Sequence, residues 1–340
     1  METSSKLQNQ NDINLSSANA PISFRERMKL ILKFAFVAFI FWFLFKKGLV
    51  TANSFHRVLA NPTTLILCLF LMLLNTVIGA VRWQVLLKIQ SIDFSFQRVL
   101  QLNLIGAFFN IALPGAVSGD FVKAVYAVKK FKDKSSEVFG SIFFDRILGV
   151  SAMVFVAGVS AIISLFINWG GSLPFVLLSS VGAVGLAIGL FFAYMFLSHS
   201  KDPLFAVVQF VTKRHTKLAI IDRLYLGVMS YRKDPLRILK AISIALIIHL
   251  LLILIAFFIT EAIAPAPIPI VALAILVPIG LLATSIPVLP AGVGTGHAAF
   301  YALFKLVGSD LGAEVFSWIV LFQVLVGIWG GVMYLKHKND

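Results

Sequence analysis

Residues 147–198 contain no Asp, Glu, Lys or Arg, and that run limits the possible folds more than any other feature of the chain. A helix needs about 20 largely apolar residues to cross the hydrocarbon core of a bilayer. The run is long enough to cross twice, and Asn168-Trp169-Gly170-Gly171-Ser172-Leu173-Pro174 in its middle supplies turn chemistry. Two spans joined by a tight loop are therefore expected. Composition agrees: 59% of the residues are apolar and 13% charged, against roughly 25% charged in a soluble domain. The expected class is an all-α polytopic membrane protein, which excludes a water-soluble enzyme.

Other spans follow from the same ruler. Met28 to Phe45 qualifies if Lys33 snorkels to the interface; Thr63 to Val81, Ala241 to Thr260 and Val315 to Leu335 qualify directly. Residues 1–23, rich in Gln, Asn and Ser, have too little apolar surface to offset the entropy of ordering and read as a cytoplasmic tail. The first apolar segment begins late and lacks a small-residue cleavage pattern, so it is expected to stay as a helix. Cys68, the single cysteine, rules out a disulfide scaffold and a cysteine-ligated metal site.

Basic residues orient the layout. The chain has 29 Lys+Arg and 15 Asp+Glu, a net charge of +14. Of the 29, 24 fall in residues 1–33, 82–98, 123–134, 199–240 and the C-terminal tail. Placing these segments in the cytoplasm leaves only Lys46, Lys47, Arg57 and Lys305 outside and Arg146 in the membrane, which satisfies the positive-inside rule with both termini cytoplasmic. The charge thus marks topology, not a nucleic-acid partner, whose binding face would be basic and soluble. Phe55 to Ala60 is expected to form an interfacial helix, and the basic loop 199–236, with Lys213-Arg214-His215, to touch anionic headgroups.

Two apolar stretches do not read as simple spans. Val99 to Gly119 contains Asn103, Asn110 and Leu113-Pro114-Gly115; Ile268 to Phe304 contains Pro269, Pro278, Pro287 and Pro290 and then Gly292, Gly294 and Gly296. Backbone freed by Pro and Gly at membrane depth is tolerated only where protein or a watery cavity satisfies it. The expected architecture is six full transmembrane helices plus two re-entrant hairpins, about 96–130 and about 268–308, entering from opposite faces. One lies in a first membrane half (24–198), the other in a second (237–340). Shifting the first hairpin by 177 places Gly115 on Gly292, Ser118 on Thr295, Gly119 on Gly296 and Asp120 on His297. Each tip reads as a turn, then a small hydroxyl residue suited to cap a new half-helix, a pattern that suggests an inverted repeat.

Together with Arg82-Trp83, Asn110-Ile111-Ala112-Leu113-Pro114-Gly115, Ser118-Gly119-Asp120, Asp145-Arg146-Ile147-Leu148-Gly149 and Pro290-Ala291-Gly292-Val293-Gly294, these features resemble the transmembrane region of lysylphosphatidylglycerol synthases and their stand-alone, flippase-like relatives. The similarity spans nearly all of residues 25–335. It departs where the family usually has Arg for Lys123, Glu-Arg for Asp145-Arg146, and often Glu for His297. No aminoacyl-transfer domain of the synthase kind is expected after the membrane region. The resemblance implies movement of a polar-headgroup lipid between leaflets and carries over no lysyl transfer.

An ionisable side chain inside a span is costly and by default faces the bundle interior with a partner or a task. Asp145 and Arg146 lie about 14 Å along a helix starting near Ser136, at ~1.5 Å per residue. Arg146 suits a lipid phosphate; alternatively it forms a structural pair with another helix, for instance with Asp120. Asp145 and Arg146 point about 100° apart and cannot simply pair with each other. Half-helices starting after Ser118 and Thr295 would offer N–H groups to an anion. Asp120 either stabilises its own helix, fixes Lys123 one turn on, or meets a cationic headgroup. His297 either carries a proton or is a satisfied hydrogen-bonding residue, and His249 shares that ambiguity. Arg82 reads as an interfacial residue beside Trp83.

The candidate substrate-binding set is Asn110, Pro114, Gly115, Ser118, Gly119, Asp120, Lys123, Asp145, Arg146, Gly292, Gly294, Thr295, Gly296 and His297. Expected partners are membrane lipids: an anionic or aminoacylated phospholipid, or a polyprenyl-linked lipid, in a bacterial-type inner membrane. No cofactor, metal or nucleic acid is expected, and homo-oligomerisation stays open. Three functions compete: a lipid translocase, an intramembrane enzyme using Asp120, Asp145 and His297, and a non-catalytic scaffold. Against the enzyme stands the lack of a nucleophile–base, HExxH or paired-His pattern; for the translocase, the lack of a Walker A sequence leaves a gradient or a partner as the energy source.

Overall fold

The computed structural model describes residues 51–336 except 114–117, 168–172, 198–201, 215–218, 265, 267 and 285–291, together with Met28, Ala35, Trp42 and Lys46. The expected tail, the first span, the loop around Gly170, Pro114 with Gly115, and Pro290 therefore lie wholly or largely outside the described residues. Among those residues the chain is all-helical.

The helices are α1 (Ala52–Ala60), α2 (Pro62–Ile89), α3 (Phe96–Ala112), α4 (Ser118–Lys130), α5 (Ser135–Phe166), α6 (Leu173–Leu197), α7 (Pro203–Arg214), α8 (Ala219–Met229), α9 (Pro235–Ile263), α10 (Ile270–Thr284), α11 (Thr295–Lys305) and α12 (Gly312–Lys336). Five described helices, α2, α5, α6, α9 and α12, are long and apolar enough to cross a membrane. They occupy different environments. In α12, 72% of the apolar window is buried, whereas in α6 only 12% is, so α12 is a core helix and α6 presents its apolar side chains outward.

Local chemistry explains the boundaries. Asn61 and Asp234 precede Pro62 and Pro235, and their side chains accept from the Thr64 and Arg237 N–H groups. Proline at the first helical position loses no hydrogen bond, because that N–H has no intrahelical acceptor. Helix α3 ends where Leu113, the residue before Pro114, turns extended (φ −124°, ψ 148°), as the proline ring demands of its predecessor. Of the prolines in 268–304, Pro278 sits inside α10; the helix ends at Thr284.

The segment 199–236, read as a loop, contains α7 and α8. Asp202 starts α7 by accepting from the Phe205 N–H at 2.9 Å, and its carboxylate also receives the hydroxyls of Tyr194 and Tyr225. Burial would raise the pKa of Asp202, but these three donors hold it below the usual carboxylate value. Helix α8 packs on α5 so closely that a Cβ on Gly140 would meet Gly227 Cα at 3.1 Å. Tyr231, fully buried, stacks on Phe144 at 4.2 Å and donates to Leu86 O. The segment is thereby fastened to the bundle.

Helix neighbours follow a regular scheme. Helix α2 packs along α9, α3 along α12, and α10 along α5. Exchanging the quartet α2–α5 with α9–α12 converts every neighbouring pair within this set into another observed pair. Close backbone approach makes the α3–α12 seam: a Cβ on Gly330 would lie 1.9 Å from Leu104 O, and one on Gly327 2.6 Å from Ile111 Cδ1. A helix is present over Phe55–Ala60 as part of α1, joined to α12 through Thr51, whose N–H and hydroxyl both donate to Glu314 Oε1.

Candidate functional site

Helices α2, α3, α4, α5, α9 and α12 surround a cavity of about 320 Å³. Its polar lining is Asn75, Thr76 and Arg82 from α2, Asn103 and Asn110 from α3, Asp120 and Lys123 from α4, Asp145 and Arg146 from α5, His249 from α9 and Gln323 from α12. Met72, Met153, Ile248 and Val326 complete the wall. A polar lining at the centre of membrane-length apolar helices costs desolvation energy unless its groups are paired.

The charges are paired across helices. Arg82 forks onto Asp145, Nε to Oδ1 at 2.7 Å and Nη2 to Oδ2 at 3.0 Å, with both side chains only 12–13% exposed. This corrects the interfacial reading of Arg82: the planar guanidinium meets a carboxylate on a different helix in the bidentate geometry that fixes orientation as well as charge. Trp83 is fully buried, donating to Ser141 Oγ at 3.0 Å. Asp120 carries two cations. Arg146 contacts its Oδ2 at 2.5 Å, and Lys123 lies 3.5 Å from its Oδ1. Lys123 Nζ also sits 4.3 Å from the Trp83 ring centroid, a cation–π contact that holds the ammonium in place. Neighbouring residues Asp145 and Arg146 thus take different partners, as their angular separation requires.

The turn between α3 and α4 is held by side chains. Asn110 Oδ1 accepts from the Gly119 N–H at 2.8 Å, so Asn110 caps α4 from the preceding helix. Ser118, expected as that cap, instead donates back to Phe109 O and Leu113 O. Gly119 is demanded by packing, because a Cβ there would fall 1.8 Å from Gly106 O. Of the first-hairpin candidates, Asn110, Asp120, Lys123, Asp145 and Arg146 line the cavity. Ser118 and Gly119 support its rim.

The second hairpin lies elsewhere. None of Gly292, Gly294, Thr295, Gly296 and His297 lines the cavity. Gly292 and Gly294 adopt φ of +70° and +90° to make the turn, and Thr295 donates to Gly292 O at 3.3 Å. His297 Nδ1 accepts from the Gly294 N–H at 3.2 Å, which places the ring proton on Nε2, 2.9 Å from Ser317 Oγ. Ser317 in turn donates to Ala313 O. The histidine ring meets Phe316 edge-on at 4.8 Å. It is a satisfied core residue, one of the two readings its sequence position allowed.

Several lining residues were not among the candidates: Asn75, Thr76, Arg82, Asn103, His249 and Gln323. Asn75 donates to Ile248 O at 2.8 Å and Asn103 to Thr76 O at 3.0 Å, and His249 Nε2 lies 3.1 Å from Gly149 O. The available signal was a polar residue within an apolar run, which Asn75 and Gln323 carry as plainly as Asn110 does. Among the described residues no group of three or more His, Cys, Asp or Glu side chains is placed to hold a metal.

With this geometry in view, comparison with known proteins is informative. A UPF0104 membrane protein of Pyrococcus horikoshii is 24% identical over 304 residues, covering 82% of this chain and 89% of that protein. No solved structure matches. Residues 30–329, which include every residue lining the cavity, match the family described as the lysylphosphatidylglycerol synthase TM region, and the chain belongs to that family of integral membrane proteins.

Proposed function

We propose that the protein is a lipid translocase, carrying a polar lipid headgroup through the α2–α5/α9–α12 cavity while the acyl chains stay in the bilayer. The observation that carries this reading is the five-charge cluster bordering an internal cavity. Buried ion pairs contribute little net stability compared with apolar packing of the same volume, so a protein in lipid keeps them for a task.

The layout proposed with this function has six crossings, counting Met28 to Phe45, and both termini in the cytoplasm of a bacterial-type inner membrane. The α3–α4 and α10–α11 hairpins are re-entrant. In support, α3 (17 residues) and α10 (15 residues) extend only about 26 and 22 Å at ~1.5 Å per residue, short of the roughly 30 Å hydrocarbon core. The interchangeable neighbour scheme of the two quartets supports an inverted repeat with a site between its halves. The cavity offers hydrogen-bonding and charged groups, but no nucleophile–base pair lines it, which favours transport over chemistry on the lipid.

Purified protein in liposomes, with lipids carrying a reducible fluorophore on an acyl chain, tests the function. Wild type should speed leaflet exchange, and Asp120→Asn should lose most of the gain. Exchange no faster than in empty liposomes for any anionic, aminoacylated or polyprenyl lipid overturns the reading, and a chemically altered lipid recovered from the vesicles replaces it with an enzyme. For the layout, single cysteines at Gly171 and Lys217 in a Cys68→Ala background should label from opposite sides; labelling from one side overturns it.

A further inference from the structure

We infer that the cavity opens sideways to the bilayer by parting α4 from α5, and that the Asp120–Arg146 pair is the latch holding this seam shut. This rests on the translocase reading, for which it supplies the entrance. The other seams around the cavity are fastened more firmly. A Cβ on Gly119 would fall 1.8 Å from Gly106 O and one on Gly330 1.9 Å from Leu104 O, so α3 is in backbone contact with both α4 and α12. Three more seams are crossed by a side chain on a backbone carbonyl: Asn103 on Thr76 O joins α3 to α2, Asn75 on Ile248 O joins α2 to α9, and His249 Nε2 on Gly149 O joins α9 to α5. Between α2 and α5 lies the Arg82–Asp145 fork, with Trp83 donating to Ser141 beside it.

Helices α4 and α5 meet differently. Residues 131–134 join them in an elbow, anchored where Phe131 meets Phe94 edge-on at 4.9 Å and Lys134 donates to Ser91 O at 2.6 Å. Next to the elbow, Ala124 and Ala127 of α4 share an apolar cluster with Val138 and Ile142 of α5. Asp120 lies ten residues before the end of α4 and Arg146 eleven after the start of α5, about 15 and 17 Å from the elbow at ~1.5 Å per residue. At that distance the helices are held by charge: Arg146 Nε and Nη2 both contact Asp120 Oδ2 at 2.5 Å. Two arms fixed at an elbow part most easily at their far ends.

The pair can release without stranding a carboxylate. Asp120 keeps Lys123, 3.5 Å from its Oδ1, and that ammonium is held over the Trp83 ring at 4.3 Å. Asp145 keeps Arg82. Breaking a buried pair is expensive chiefly because it leaves a charge uncompensated. Arg146 lines the cavity with its side chain 47% exposed, so on release its guanidinium stays among polar side chains instead of entering hydrocarbon. Outside the latch the seam is apolar. Phe121, beside Asp120, and Phe143, one turn before Arg146, are both exposed, and the Phe121 ring lies 6.3 Å from that of Phe139. Exposed phenyl rings at this depth suit acyl chains better than water, so the seam opens onto lipid.

The test uses the full chain in liposomes. Gln323→Cys places a thiol in the cavity lining, and the native Cys68, fully buried with Sγ 3.9 Å from Ile255 O in the α2–α9 seam, is the reference. An apolar maleimide dissolved in the bilayer should label position 323 slowly, and at least about threefold faster once Asp120→Asn removes the latch and a minor open state gains population. Cys68 should stay unlabelled, and a charged, impermeant maleimide should gain less. Equal rates with and without Asp120→Asn overturn the latch. A matching rise at Cys68 means general loosening and overturns it too, and an equal gain for the charged reagent places the opening on water and overturns the sideways route. The exchange lost in Asp120→Asn is then that of a seam which no longer closes. Separately, Phe121→Cys with Phe139→Cys in a Cys68→Ala background, bridged by a short reducible bis-thiosulfonate, clamps the seam. Lipid exchange should fall at least about tenfold on bridging and return on reduction; bridged protein that exchanges at the unbridged rate overturns the seam as the entrance while leaving a translocase. If wild type moves no lipid, the translocase reading falls, and the labelling rates still decide the latch.

Discussion

Two helical hairpins occupy equivalent places in the helix scheme and carry opposite chemistry. The α3–α4 hairpin brings Asn103, Asn110, Asp120 and Lys123 to a cavity; the α10–α11 hairpin buries His297 and Phe300 against Phe316, with Phe304 stacked on Phe300. The same shift of 177 that sets Asp120 on His297 sets Asp145 on Phe322 and Arg146 on Gln323. Phe322 is fully buried, whereas Gln323 lines the cavity. One framework thus houses a charged site in one half and a packed apolar core in the other. A repeat preserves helix contacts, which depend on length and close approach, more readily than it preserves side-chain chemistry.

Substitutions at matched positions sharpen that contrast. The largest effect is expected at Asp120→Ala, which leaves Lys123 and Arg146 facing each other without a carboxylate; removing one partner of a buried pair costs about 3–5 kcal/mol. Thermal midpoint should fall and leaflet exchange vanish. The matched His297→Ala removes two hydrogen bonds outside the cavity and should cost about 1–3 kcal/mol while exchange per folded molecule is retained. Loss of exchange in stable His297→Ala protein would break the comparison.

Next come the matched glycines. Gly119→Ala drives a Cβ to 1.8 Å from Gly106 O, a backbone atom that can move only by separating α3 from α4, whereas Gly296→Ala meets the Phe316 ring at 2.2 Å. Overpacking costs about 1–3 kcal/mol, and the larger loss of thermal midpoint is expected at Gly119, since a ring rotates more readily than a helix shifts. Arg82→Gln should destabilise by a similar amount and be partly rescued by Asp145→Asn, because the double variant leaves no uncompensated charge; a double-mutant cycle measures the coupling. The smallest effect is expected at Gly158→Ala, where a Cβ meets nothing within 4 Å. There the midpoint should hold or rise slightly, since alanine is favoured over glycine in a helix by up to about 1 kcal/mol.

Much of the fold was readable along the chain. Uncharged length located α2, α5, α6, α9 and α12, and Leu113-Pro114 marked the break after α3. Helices α7 and α8 escaped because they are only 12 and 11 residues long, and a ruler of about 20 apolar residues passes over such helices. The starts at Asn61-Pro62, Asp202-Pro203 and Asp234-Pro235 would have marked three helices directly. Pro278 sits inside α10, since proline breaks a helix only where the freed carbonyl or the ring cannot be accommodated.

For the site, Asp120, Lys123, Asp145 and Arg146 were legible as charges that lipid would not tolerate unpaired. Their pairing was only partly so. Arg146 with Asp120 was one of the alternatives, but Arg82 with Asp145 joins residues 63 positions apart, and nothing in the spacing selects that partner over another.

The sequence by itself determined that this chain is a helical membrane protein, because the cost of exposing peptide groups to hydrocarbon leaves uncharged runs of this length no other regular structure. It also determined that the few internal charges matter. Tertiary structure alone decided which hairpin meets the cavity, because the packing of His297 against Phe316 and the place of Asp120 in the cavity lining depend on which helix each turn is packed against. That contact is made by residues far apart in the chain, such as Gly330 on Leu104 and Gly119 on Gly106, whose close approach is a property of the assembled bundle.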